Sequence, residues 1–126
     1  MKRKQLINNF WRDVAKQDES VLRAYFFVGA FIRWHCTNEH FNVEEYIIAN
    51  CEYPGNWSSQ VERVEEIGNL LISVTRVWLT DEKTSFHVTS FFEFNEDKIV
   101  ELNEYWGDDG NPPQWRINKK IGKAIN

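Results

Sequence analysis

Four strand-like runs, 60–67, 70–79, 85–94 and 98–106, follow one another with links of only two to five residues. A parallel pair needs a crossover of a dozen residues or more, so strands joined this tightly must run antiparallel. Gly68-Asn69 suits a two-residue hairpin turn, while Asp81-Glu82-Lys83 and Asn95-Glu96-Asp97 suit slightly longer loops. The second half of the chain is therefore expected to be a meander.

The first half has a different period. Leu6, Ile7, Phe10, Trp11 and Val14 recur at helical spacing and predict an amphipathic helix ending at Lys16. Asp18 is placed to cap a short second helix over 19–25, which leads into the apolar stretch AYFFVGAFI (24–32) and a first strand over 29–36. Asn42 with Glu45 makes a capping-box pattern, and Tyr46, Ile47 and Ile48 supply the apolar face of a third helix that Tyr53-Pro54-Gly55 terminates. Helices followed by a meander give an α+β layout, with a curved sheet packing its concave side on about three N-terminal helices.

A chain of 126 residues is expected to form a single domain, 1–126, with its own core. Cys36 and Cys51 have neither metal-ligand spacing nor a disulfide framework, which points to reduced thiols in a cytoplasmic protein. The 24–32 stretch is far short of the ~20 apolar residues that span a bilayer. The basic start, 1–4, leads into Gln5, Asn8 and Asn9 rather than a continuous apolar run, so neither a secretory signal nor membrane attachment is expected. The net charge of -4 hides an asymmetry, because residues 5–115 carry 8 bases against 19 acids, a balance of -11. An acidic body repels a phosphate backbone, so nucleic-acid binding is disfavoured. The 6 glycines are scattered and form no phosphate loop, and no serine nucleophile motif or metal-binding spacing is present, so no cofactor is expected.

The chemistry concentrates in the last strand. Successive strand residues face opposite ways, so Val100, Leu102, Glu104 and Trp106 share one face and Ile99, Glu101, Asn103 and Tyr105 the other. Glu104 thus sits where an apolar residue belongs. Burial there raises a carboxyl pKa toward the acid-base range and makes Glu104 a candidate proton carrier. The structural alternative is an ion pair with Arg63 or Arg76. His35 and Glu39, at the end of the first strand, are a second candidate pair, placed to relay a proton at a cavity mouth. With His40 they lack the spacing of zinc motifs, so no metal is expected. His87 alternates away from Ser90, toward the outer sheet surface and a dimer contact. Trp115-Arg116, after Pro112-Pro113, is expected to clamp the tail onto the body. An aromatic content of 15% with 6 Trp exceeds the needs of a core this small and suggests an aromatic-lined cavity.

The order of elements and the stretch FHVTSFFEFNEDKIVELNEYWGDDG (86–110), with Phe31-Ile32-Arg33-Trp34 and the helix 43–51, resemble the nuclear-transport-factor-2-like superfamily, particularly its SnoaL-like branch. The resemblance covers nearly the whole chain. It implies a cone-shaped fold, a strongly curved, mainly antiparallel sheet wrapped around the helices and open at one end into an apolar pocket. It also implies a homodimer formed through the outer sheet face. Ketosteroid isomerase, polyketide cyclases, limonene-epoxide hydrolase and scytalone dehydratase belong to the superfamily, as do non-catalytic modules, so the fold alone fixes little about function. The isomerase's base and its two oxyanion donors correspond to Phe10, Trp34 and Ser90, none of them an acid or a tyrosine, so its residues are not retained. The resemblance places Trp34, Ser90, Leu102, Glu104 and Trp106 toward the pocket and Tyr53 and Trp57 at its rim. The expected function is binding of a small apolar or aromatic molecule. The alternatives are a cofactor-independent isomerase, cyclase, dehydratase or hydrolase, and a protein-interaction or dimerisation module.

Overall fold

The computed structural model describes residues 2–80 and 83–126. The loop expected at Asp81 and Glu82 lies outside the described residues, as does Met1. Helix α1 (Arg3–Lys16) buries Leu6, Ile7, Phe10, Trp11 and Val14, the positions whose spacing predicts it. Gln17 ends it in a left-handed conformation, with φ 55°. Helix α2 (Glu19–Leu22) and a 3-10 turn (Arg23–Tyr25) fill the segment expected as one helix. Asp18 precedes α2 without a side-chain capping bond, and its carboxylate instead accepts from Ser20 Oγ at 2.8 Å.

Strand β1 (Phe26–Trp34) begins earlier than expected because Gly29, which looks like its start, is a bulge inside it. The φ of 83° at Gly29 is one that a glycine adopts without strain. His35–Thr37 forms a 3-10 turn, and β2 (Glu39–Asn42) returns antiparallel to β1. Helix α3 (Val43–Cys51) opens on the expected capping box, with Glu45 N–H donating to Asn42 Oδ1 at 2.8 Å and Asn42 N–H to Glu45 Oε1 at 2.9 Å. The meander follows as β3 (Trp57–Ile67), β4 (Leu70–Leu79), β5 (Ser85–Asn95) and β6 (Lys98–Asp108).

These strands form one open sheet in the order β2-β1-β6-β5-β4-β3. Every neighbouring pair is antiparallel except β1 with β6. Register shifts in β1, in β3 between Val61 and Arg63, and between β5 and β6 at Glu93 and Phe94 bend the sheet. Its concave face closes on α1, where Ile7, Phe10 and Trp11 join Leu71, Val88, Phe92 and Leu102 in the core. Ser59 Oγ ties β3 to the Trp11 carbonyl at 2.8 Å. Ile99, read from alternation as outward, is fully buried, because the shift at Glu93 and Phe94 reverses the facing of the start of β6. Helix α4 (Gln114–Asn118) was not expected, and the clamp expected of Trp115 and Arg116 is not made. Residues 110–126 are exposed throughout, Trp115 is 61% exposed, and Arg116 lies over the Trp115 ring of its own turn.

Candidate functional site

A polar row crosses the concave face. Trp34 of β1, Glu104 of β6, Ser90 of β5 and Ser73 of β4 are register partners in turn. Trp34 Nε1 donates to Glu104 Oε1 at 3.0 Å and Ser90 Oγ to Glu104 Oε2 at 2.7 Å. Glu104 is fully buried, and burial pushes its pKa up to about 7, while the bonds from Ser90 and Trp34 limit the rise. The Trp106 indole restrains it more weakly, lying beside the carboxyl without reaching hydrogen-bond geometry. The ion pair expected with Arg63 or Arg76 is absent. Arg63 pairs with Glu65 at 3.4 Å, and Arg76 stacks on Trp78 and donates to Ser85. Neutral donors alone leave the carboxylate uncompensated, and this is why its proton is held so tightly.

Beside this row a cavity of about 240 Å³ opens between the end of α1, α3 and the sheet. Its aromatic wall is a continuous chain of ring contacts. Trp34 meets Trp106 at 6.2 Å between centroids, Trp106 meets Phe86 at 6.2 Å, Phe86 meets Trp57 at 5.8 Å, and Trp57 meets Tyr53 at 5.3 Å. Val14, Ala15, Ala49 and Val77 add aliphatic surface, and Gln17, Asn50, Thr37, Cys36 and Asp108 add polar surface. Gln17 Nε2 donates to the carbonyls of Asn50 (2.9 Å) and Tyr53 (2.6 Å), tying the end of α1 to the loop after α3. The left-handed turn at Gln17 aims this side chain. A volume above the ~150 Å³ that admits benzene in an engineered cavity suits a small ligand.

Of the expected site residues, Trp34, Tyr53, Trp57 and Trp106 line this cavity. Ser90 and Leu102 are fully buried off its wall, in the polar row and the core respectively. Glu104 is also set back from the wall, next to Trp34 and Trp106. His35 turns to the outer sheet face, stacking on Tyr105 at 4.5 Å and bonding Asn103 through Nε2 at 2.8 Å. It stands apart from the cavity because it directly follows the inward-facing Trp34 and so takes the opposite side. Glu39 is exposed on β2 and accepts from Thr37 Oγ1 at 2.7 Å, so the two do not form the expected relay. Phe86 and Asp108 line the cavity without having been expected there, although Phe86 shares its strand face with Ser90, and Asp108 continues the 102–104–106 alternation. Nothing in the sequence announces Gln17 or Asn50.

On the convex face, His87 bonds Asp109 through Nδ1 at 2.5 Å and Glu62 through Nε2 at 3.0 Å. The bond to Asp109 holds its pKa above the usual histidine range against the opposing effect of burial, with Glu62 adding to the rise. Among the described residues, no group of three or more His, Cys, Asp or Glu is placed to hold a metal, and no helix is long and apolar enough to cross a membrane.

No family model and no curated protein matches the chain. Solved structures do match it. An NTF-2 like protein of unknown function from Burkholderia xenovorans aligns over 98% of this chain and 94% of its own, with a TM-score of 0.77 at 20% identity. The chain has the nuclear-transport-factor-2-like fold. A SnoaL-like protein from Jannaschia aligns over 81% of this chain and 83% of its own (TM-score 0.68, 13% identity). An LEH-like epoxide hydrolase from M. tuberculosis covers 82% of this chain and 80% of its own (TM-score 0.66, 11% identity). At such identities the likeness is one of fold.

Proposed function

We propose that this chain is a small-molecule-binding domain whose ligand, largely apolar or aromatic, lies against Trp34, Tyr53, Trp57, Phe86 and Trp106. The observation that carries this reading is the unbroken chain of ring contacts along the cavity wall. Aromatic walls with few fixed polar groups are what a hydrophobic ligand requires. In this reading Glu104 fixes the Trp34 wall and does not touch the ligand. A second reading, cofactor-independent acid-base catalysis, draws on the Glu104 pKa of about 7. It requires Trp34 or Trp106 to move, because both stand between the carboxyl and the cavity wall. Isomerase chemistry gains nothing from Trp34 and Ser90, whose donors are both taken by Glu104.

Free Cys36 and Cys51 support a cytoplasmic protein. A homodimer through the outer sheet face is supported by the aromatic surface there, where Phe31 stacks on His40, His35 on Tyr105, and Phe91 meets Tyr105. Calorimetric titration with neutral one- and two-ring aromatics tests the binding reading. Saturable binding with a negative heat-capacity change is expected. Trp57→Ala is expected to weaken it about tenfold, or about 1.4 kcal/mol. A library giving no saturable binding would contradict the proposal.

A further inference from the structure

The charge and ring orientation of the cavity say more about its ligand than its size does. All three indoles on its wall have their N–H groups turned elsewhere. Trp34 Nε1 is bonded to Glu104, and Trp57 Nε1 and Trp106 Nε1 are sealed from solvent, so a molecule in the cavity cannot reach them. The Trp57 nitrogen sits beneath the Gly55 backbone, 3.1 Å from where a Cβ on that glycine would lie. The cavity therefore meets the carbon rings of these indoles and not their donor edges. Trp34–Trp106 and Trp106–Phe86 cross at 68° and 81°. Rings so steeply crossed turn in different directions around the cavity, and the face of an aromatic ring carries the negative end of its quadrupole.

No Lys, Arg or His lines the cavity among the described residues, and its single charged lining group is the carboxylate of Asp108, which has no ion-pair partner there. Glu104 stands behind the Trp34 and Trp106 walls and, when protonated, adds no positive charge to oppose a cation. The surrounding body carries an excess of acids. The charged and aromatic parts of the cavity wall thus favour positive charge, and the indoles offer an anion or an oxyanion no donor.

Resting on the small-molecule reading, we propose that the ligand is an organic cation, an alkylated or quaternary ammonium attached to an apolar body, with its charged head held by the Trp34, Trp57 and Trp106 faces and Asp108 at the rim. Cation–π attraction is strongest on tryptophan and grows when the cation is desolvated. A quaternary head needs no hydrogen-bond acceptor, so its recognition falls to the rings and Asp108 rather than to the Gln17 and Asn50 amides.

Phenyltrimethylammonium and its neutral isostere tert-butylbenzene separate this inference from the broader one, because they differ in charge and hardly in shape. Calorimetry is expected to show the cation bound about tenfold or more tightly than the isostere. The preference should persist in 0.5 M salt, shrink several-fold in Asp108→Asn, and vanish in Trp106→Leu. Asp108 is exposed, so its variant keeps the test intact if Trp106→Leu does not fold. Equal or tighter binding of tert-butylbenzene overturns the cation inference and leaves the small-molecule reading standing. Cation binding that 0.5 M salt abolishes, and that Asp108→Asn and Trp106→Leu leave unchanged, marks the acidic surface and also overturns it. If neither compound binds and the neutral aromatics fail too, both readings fall.

Discussion

Glu104 holds its proton up to about pH 7 in the folded chain, while its ordinary value is 4.5. Between those limits the native state binds more protons than the unfolded one, so stability falls as pH rises from 4.5 to 7 and then levels off. The whole window corresponds to about 3 kcal/mol. Glu104→Gln removes this contribution, so urea unfolding from pH 5 to 8 is expected to show a flatter profile and a variant that gains on the native protein at pH 8. A slope identical to wild type would mean the proton is held elsewhere. His87, whose pKa is raised by Asp109 and Glu62, also loses stability as pH rises and accounts for the slope that remains. Gly55 is a second position where one atom decides the outcome. Its φ is 126°, and a Cβ there would run into Leu79 Cδ2 and crowd Trp57 Nε1. Gly55→Ala should cost about 1 to 3 kcal/mol and shift Trp57 emission, whereas an unchanged spectrum and melting point would show that the loop yields freely.

Helix α3 depends on its cap, because both bonds of the box are made at its first turn. Asn42→Ala is expected to cost about 1 kcal/mol, seen as a melting point lower by roughly 4 °C; an unchanged midpoint would assign the helix start to tertiary packing. That helix was legible in the sequence because its signal is local, two side chains three residues apart. Strand β2 was not legible, since Glu39, His40, Phe41 and Asn42 carry no alternation and pair only because β1 lies alongside. The face of β6 was legible from Leu102 to Trp106, where pairing with β5 is regular. It was misread at Ile99, because β6 carries an extra residue, Val100, opposite the Glu93–Phe94 step of β5, and no turn residue in the sequence signals that bulge. Strand identity is local information, and facing beyond a bulge is not.

At the scale of the molecule, alternation tells which residues face inward but not how deep they lie. The concave face serves both the core and the cavity, so Ser90 and Leu102 were grouped with Trp34 and Trp106 although α1 covers them and leaves the tryptophans on the cavity wall. Curvature decides that division. The same curvature leaves the convex face with Phe31, His35, Phe91 and Tyr105. Sedimentation equilibrium at tens of micromolar is expected to give twice the 15.0 kDa chain mass, with Tyr105→Glu returning the monomer; monomer alone for wild type would remove the dimer. The cavity itself is tested most directly by the six indole N–H signals in an amide-correlation NMR spectrum, one per tryptophan. A bound aromatic or ammonium ligand is predicted to move the signals of Trp34, Trp57 and Trp106 together and saturably, leaving Trp78 and Trp115 in place. Shifts confined to Trp78 and Trp115, or no shift across a library of such compounds, would contradict a ligand site on these walls.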